Sequence, residues 1–310
     1  MDSVAAVPML LVHGGAGVIR RGMGADTERG VRAALAEALR RGHASLAAGG
    51  SALDAVATAV VVLEDAPYFN AGHGAVFTHD GINELDAAIM DGATLRAGAV
   101  AGVRHVRNPV LLARAVMEHS PHVMLAGAGA ETFAREHGIA LVEPDYFRTE
   151  RRWRELQVAR HRANRNEPVD HFGTVGAVAL DAQGRLAAAT STGGMTDKRW
   201  GRIGDSPVIG AGTYANAACA MSGTGWGEFY IRTAAAHAVC MRVAAVHQSV
   251  QEAAEAVVNQ EIPTLGGSGG AIVLGADGAF AMPFNTDGMF RGHIGNDGEP
   301  HVAIWPHERM

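Results

Sequence analysis

Apolar and polar positions alternate along the chain in blocks of two different periods. The opening run "VAAVPMLLV" (4–12) is almost wholly apolar and passes straight into "HGGAG" (13–17). It reads as a first core strand rather than a signal peptide, because no basic segment precedes it. "DTERGVRAALAEALRRGHASLAAGG" carries apolar residues at helical spacing, which predicts a helix with Asp26 as N-cap and Gly49–Gly50 as the stop. "SALDAVATAVVVLED" repeats that period and opens with Ser51 three residues before Asp54, a capping-box pattern. "GAVFTHDGINELDAAIM" predicts two strands joined through an Asp-Gly turn. "NPVLLARAVMEHS" predicts a helix capped by Asn108, with Pro109 in its first turn.

The later blocks are more apolar. "TVGAVALDAQGRLAAATST" predicts a hairpin whose strands are nearly all small or apolar, so both of its faces must be covered. Helical patterns follow at 226–245 and 248–260, then a second hairpin, "GGAIVLGADGAFAMPF". Hairpins and helices in blocks, rather than regular βαβ units, favour layered α+β over a doubly wound sheet. No fixed-period repeat is present. One stretch breaks the pattern: "DYFRTERRWRELQVARHRANRNEPVD" (145–170) holds seven Arg and five acids among few apolar residues. It reads as a surface helix followed by a linker, or as a mobile segment leading to a cleavage point. Both readings make it exposed.

Composition narrows the class. With 310 residues, 48% hydrophobic and 19% charged, the chain can build a substantial core and is not disordered. A net charge of −6, with Lys198 the single lysine, predicts no general affinity for nucleic acid or anionic membranes. No apolar stretch reaches about 18 residues, so a soluble chain is expected. Two cysteines, Cys219 and Cys240, cannot form a disulfide framework and fit a reducing cytoplasm. Forty glycines imply many tight turns and close backbone approaches.

Several chemistries compete. "GGSGG" (266–270) satisfies G-x-S-x-G, with Asp287 and His301 following Ser268 in triad order and "HGG" (13–15) resembling an esterase oxyanion loop. A hairpin rather than a helix follows Ser268, which argues against a Ser-triad hydrolase. There is no G-x-x-x-x-G-K loop, and "HSPH" (119–122) lacks further ligands at zinc spacing. Composition alone leaves a non-catalytic binding module open. Thr174, at the start of the "TVGAVAL" strand, offers a different chemistry. Cleavage of the Gly173–Thr174 bond would give it a free α-amine with a pKa of about 7.7–8.0, against about 10.4 for Lys. One residue would then supply both a nucleophilic hydroxyl and its general base.

The stretches "HGGAG" (13–17), "FNAGHGAVFTHDGINELDAAIMDG" (69–92), "GTVGAVALDAQGRLAAATSTGGMTDKRWGRIGDSP" (173–207), "SGTGWGE" (222–228), "LGGSGG" (265–270) and "PFNTDGM" (283–289) together resemble the plant-type L-asparaginase/isoaspartyl peptidase family of N-terminal-nucleophile hydrolases. The resemblance covers essentially the whole chain. It implies a four-layer αββα sandwich formed by a single 1–310 domain. It also implies self-cleavage at Gly173–Thr174 into a 1–173 α subunit, ending in a mobile linker of about 145–173, and a 174–310 β subunit. These would assemble as (αβ)2.

Carried over position by position, Thr174 is the nucleophile and Thr192 polarises its hydroxyl. Arg202 grips the substrate α-carboxylate and Asp205 its α-ammonium, roles suited to a planar fork of donors and an acceptor-only side chain. The Thr224 hydroxyl and Gly225 N–H form the oxyanion hole, and Asn70 stands near the nucleophile. Main-chain carbonyls of Leu63, Glu64, Ala66, Phe69, Ala71 and His73 would wrap a structural sodium ion. No catalytic cofactor is implied.

The implied activity is hydrolysis of the side-chain amide of L-asparagine and of β-aspartyl dipeptides, in the cytoplasm and with neither nucleic-acid nor membrane partners. A glycosylasparaginase-like amidohydrolase is the neighbouring alternative, disfavoured by the two cysteines. Departures from the family pattern are Trp200 before "GR" and Trp226 within "GTGWGE", which bear on the leaving group. Phe172, just before the bond to be cut, bears on cleavage rate, and His171 carries no assigned role.

Overall fold

A computed structural model describes residues 6–17, 19, 22–163, 173–308 and 310. In chain order its elements are β1 (Met9–Gly17), α1 (Ala25–Ala47), α2 (Ala52–Asp65), β2 (Leu85–Asp91), β3 (Ala97–Val103), α3 (Pro109–His119), β4 (Met124–Ala126), α4 (Gly127–Glu136) and α5 (Glu150–Ala163). The second half adds β5 (Val175–Leu180), β6 (Leu186–Thr192), β7 (Thr213–Ala215), β8 (Cys219–Gly225), α6 (Gly227–Thr233), α7 (Ala235–Val246), α8 (Val250–Glu255) and α9 (Ile262–Thr264). It closes with β9 (Gly269–Gly275), β10 (Phe280–Ala281), β11 (Gly288–Ile294) and β12 (His301–Ala303).

Two sheets result. One has the order β12-β11-β1-β5-β6-β2-β3-β4 and the other β10-β9-β8-β7. The pleat explains why the strands are apolar on both faces. On β5, Val175, Ala177 and Ala179 join the core under the first three helices, while Val178 and Leu180 face the other sheet. On β9, Ala271 and Val273 pack towards α7 and α8, while Ile272 and Leu274 turn inwards. Three apolar cores therefore separate four layers: helices, larger sheet, smaller sheet, helices. The layered α+β class expected from the pattern and the four-layer sandwich implied by the resemblance are both observed, and the paired strands are antiparallel except for β3 with β4.

Local expectations met different fates. Ser51 forms the capping box, its hydroxyl accepting from the Asp54 N–H and the Asp54 carboxylate accepting from the Ser51 N–H. The first helix instead starts one residue before Asp26, with Gly24 at the N-cap position. Asp26 lies inside the first turn, where a carboxylate meets the positive end of the helix dipole. Asn108 occupies its N-cap position, but its amide donates to Asp65 Oδ1 (3.2 Å) rather than capping.

Only one of the two strands expected in 74–90 forms. Residues 75–84 are tied locally instead: Asn83 Nδ2 donates to the carbonyls of Ala75 and Val76, and Thr78 N–H donates to Ile82 O across a turn with Gly81 at φ +78°. These bonds take the place of a ladder. The helix expected over 226–245 breaks at Ala234, which adopts the left-handed conformation. The arginine-rich segment begins with a 3-10 turn at Pro144–Phe147 that buries Phe147, followed by α5. Arg152 on that helix is buried and donates to Gly74 O, so this part of the segment is not wholly exposed. His171 and Phe172 lie outside the described residues.

Candidate active site

Thr174 immediately precedes β5, in the middle of the larger sheet and at one end of the layer between the sheets. Its hydroxyl donates to Thr192 Oγ1 (3.1 Å) on the adjacent strand β6. Thr192 Oγ1 also accepts from Gly194 N–H (3.0 Å), so its second lone pair is the one that serves the Thr174 hydroxyl. Asn70 holds the turn after Thr192. Its Nδ2 donates to Gly194 O (2.7 Å), its Oδ1 accepts from Val76 N–H (3.0 Å), and its carbonyl accepts from Gly193 N–H (3.1 Å). Asn70 thus acts on the site through the 192–194 backbone.

From the smaller sheet, β8 brings Thr224 across. Its Oγ1 accepts from the backbone N–H groups of Thr174 (3.3 Å) and Ala16 (3.2 Å), leaving the hydroxyl proton for another acceptor. Gly225 follows at φ +146°, and a Cβ there would lie 2.4 Å from Ser268 O. Only glycine fits that close approach of β8 to the start of β9.

The bond before Thr174 is equally confined. Gly15 has φ +112°, and a Cβ on it would meet Gly173 Cα at 2.4 Å. A cavity of about 320 Å³ opens beside Gly173, walled by Phe69, Asn70, Phe290 and Arg152 among others.

Arg202 and Asp205 meet around Gly227, the residue that starts α6. A Cβ at Gly227 would lie 2.6 Å from Asp205 Oδ1 and 2.9 Å from Arg202 Nη2. Asp205 is buried, and its Oδ2 has no hydrogen-bond partner among the described residues. Burial pushes its carboxyl up to about 6, against the opposing pull of the Arg202 charge. An ionised carboxylate oxygen without a donor is an acceptor that can serve a cationic group.

Glu228, which the sequence reading passed over inside "GTGWGE", grips Arg202 bidentately (Nε to Oε1 3.0 Å, Nη2 to Oε2 2.9 Å). That leaves Nη1 and part of Nη2 for a further carboxylate. Trp226 stacks edge-on against Phe229, whereas Trp200 is 97% exposed with φ 56°.

The 63–73 segment folds tightly on itself. A Cβ at Gly72 would come 2.3 Å from Glu64 O, and one at Gly74 would come 2.1 Å from Phe69 O. Both positions admit only glycine, so the backbone of the segment can approach its own carbonyls this closely. Among the described residues no cluster of three His, Cys, Asp or Glu side chains could hold a metal ion.

The Ser-triad alternative does not assemble. Ser268 sits ahead of a strand rather than at a strand-to-helix elbow, and His301 is bonded to Asp297 (2.6 Å) on β12 at the far edge of the larger sheet. His119 of "HSPH" stacks on His137.

A threonine hydroxyl at a sandwich strand end, facing a second threonine and an opposite-strand hydroxyl, fits the class that the family match gives, the N-terminal-nucleophile hydrolases. The chain belongs to the asparaginase family, whose model matches residues 6–304. It is 52% identical over 293 residues to the isoaspartyl peptidase of Salmonella typhimurium, covering 91% of this chain and 94% of that one. The isoaspartyl peptidase of Escherichia coli is likewise 52% identical, with 91% of each chain covered. The human isoaspartyl peptidase/L-asparaginase is 40% identical, with 96% of each covered.

Proposed function

We propose that this amidohydrolase is an isoaspartyl peptidase with L-asparaginase activity, matured by cleavage of its Gly173–Thr174 bond. The observation that carries the reading is the meeting of two groups at one end of the sandwich. One is Thr174 with Thr192 and Thr224; the other is the Arg202–Asp205 pair at the neighbouring start of α6. Arg202 takes the free α-carboxylate of an aspartyl unit and Asp205 its α-ammonium, which presents the side-chain carbonyl to Thr174.

The freed α-amine accepts the hydroxyl proton as Oγ1 attacks that carbonyl carbon. Negative charge collects on the carbonyl oxygen opposite the Thr224 hydroxyl and the Gly225 N–H; an oxyanion donor is commonly worth about 3–4 kcal/mol. The C–N bond then breaks, the leaving amine takes the proton back, and water hydrolyses the Thr174 ester by the same route.

A sodium ion held by the carbonyls of Leu63, Glu64, Ala66, Phe69, Ala71 and His73 would brace the loop that carries Asn70 and would supply no electrophile. The buried, free Cys219 and Cys240 support a reducing, cytoplasmic setting and disfavour the glycosylasparaginase-like alternative. No helix among the described residues is long and apolar enough to cross a membrane. The assembled form in this reading is (αβ)2.

The substrate class is tested with the matured protein and four compounds. Asparagine and a β-aspartyl dipeptide should be hydrolysed, whereas an α-aspartyl dipeptide and N-acetylasparagine should not. Efficient turnover of N-acetylasparagine would remove Asp205 from the ammonium role.

A further inference from the structure

At the end of β8 no side chain separates the backbone of Gly225 from the neighbouring strand. Gly225 and Gly269 stand opposite each other in the β8–β9 register. A Cβ at Gly225 would lie 2.5 Å from Gly269 Cα, and one at Gly269 would lie 2.3 Å from Thr224 O. Just past this contact, Trp226 N–H donates to Ser268 O (2.9 Å). Where two backbones meet this closely, a shift in one is passed directly to the other. The placement of the Gly225 N–H therefore depends on what holds Gly269.

Gly269 is held from its far side by Asn285. Asn285 Oδ1 accepts from Gly269 N–H (2.8 Å), and Asn285 N–H donates to Gly269 O (3.0 Å). One residue thus satisfies both backbone groups of the glycine. Beside it, Gly270 bridges to Phe284, and Ala271 N–H donates to Pro283 O (3.0 Å). The start of β9 is therefore clasped between residues 283–285 on one edge and Thr224–Gly225 on the other.

The remaining group of the Asn285 side chain, Nδ2, donates to Val258 O (2.7 Å). That carbonyl is available for a local reason. It lies in a π turn over Ala256–Glu261, where Ile262 N–H donates to Val257 O instead of to Val258 O. The next residue, Pro263, has no N–H to offer. A carbonyl on one side and an N–H on the other fix the amide orientation, with nitrogen towards Val258 and oxygen towards Gly269. Asn285 is itself exposed, so its amide needs no partner for its own sake, and replacing it opens no cavity in the cores.

We propose that Asn285 is a positioning residue for the oxyanion hole, fixing Gly269 and through it the Gly225 N–H. The proposal rests on the reading of Thr224 and Gly225 as the oxyanion donors. Negative charge reaches that position only in the transition state, so a loosened Gly225 weakens turnover while leaving substrate binding intact.

The test is steady-state kinetics with asparagine, with rates taken per cleaved molecule, alongside thermal unfolding of the same samples. Asn285→Leu keeps the size of the side chain and removes both of its bonds. It should lower kcat and kcat/KM together by about tenfold or more, with KM changed by less than about twofold. Asn285→Asp keeps an acceptor for Gly269 N–H but loses the donor to Val258 O. It should retain kcat to within about threefold, although both variants unfold at a lower temperature than the unsubstituted protein. A merely structural Asn285 would make activity follow stability. Equal kcat losses in the two variants, a loss in Asn285→Leu confined to KM, or an unchanged kcat in that variant would overturn the proposal. If Thr224→Val kept full turnover, the oxyanion reading itself would fall, an outcome separate from the order of the two Asn285 variants.

Discussion

The proposed role of Asp205 places two conflicting demands on one carboxyl. To hold an ammonium it must be ionised, yet burial raises its pKa to about 6. As pH falls through about 6 the carboxyl becomes neutral and loses its cation, so kcat/KM should show an acidic limb there. The same shift acts on stability with the opposite preference. An unfolded aspartate titrates near about 3.9, so between that value and about 6 the folded chain holds the proton more tightly. Folding stability therefore declines as pH rises through this window, and the penalty is complete above it.

Asp205→Asn should abolish turnover yet stabilise the fold at pH 7.5 by up to about 3 kcal/mol, with little gain at pH 4. Urea unfolding at the two pH values checks the sign, and destabilisation at pH 7.5 would contradict it. Thr174, Thr192, Arg202, Asp205 and Thr224 were legible in the sequence because each sits in a short contiguous motif. Glu228 and Asn285 were not: their partners lie 16 to 27 residues away, and no local pattern announces such a pairing.

At the scale of elements, the informative irregularity is in β1. Its register with β11 shifts between His13 and Gly15, a bulge that re-aims the strand beside the Gly173–Thr174 bond. Gly15→Ala would impose an unfavourable φ and drive a methyl into Gly173, so self-cleavage should slow by about tenfold or more. A gel time course of fragment appearance measures this, and an unchanged rate would show that the contact does not constrain the bond.

Pattern reasoning succeeded where one local rule decided the outcome, as in the Ser51 capping box and the β5–β6 hairpin. It failed over 75–84, where Asn83 satisfies carbonyls that a strand would have paired. It also failed at Ala234, a residue with good helix propensity held left-handed at the junction of α6 and α7. Side-chain and tertiary bonds outweighed propensity in both.

For the whole molecule, the sheet order decides what a cut between Gly173 and Thr174 can do. β5 and β6 lie between β1 and β2, and β11 with β12 flanks β1 on its other side. Strands from the two halves of the chain are therefore interleaved, and the core under α1, α2 and α3 draws residues from both. The two fragments should co-elute as one species in native size-exclusion chromatography and part only in denaturant. Separation under native conditions would contradict the interleaved sheet. A layered α+β architecture was legible because small and apolar strands need cover on both faces; the count of four layers came from the family resemblance. The buried polar row of His13, Thr190, Thr213 and Ser222 between the sheets was hidden, since single Ser, Thr and His residues inside apolar strands carry no distinguishing period.

The central claim is that Thr174 becomes a chain end and attacks as one. Intact-mass spectrometry of freshly purified and of incubated protein, with asparagine hydrolysis assayed on the same samples, tests it most directly. Fragments comprising residues 1–173 and 174–310 should accumulate, activity should rise in proportion to them, and brief exposure to substrate should leave an aspartyl adduct on the fragment beginning at Thr174. A full-length chain of 310 residues that is fully active, or an adduct mapped to any other residue, would contradict the account.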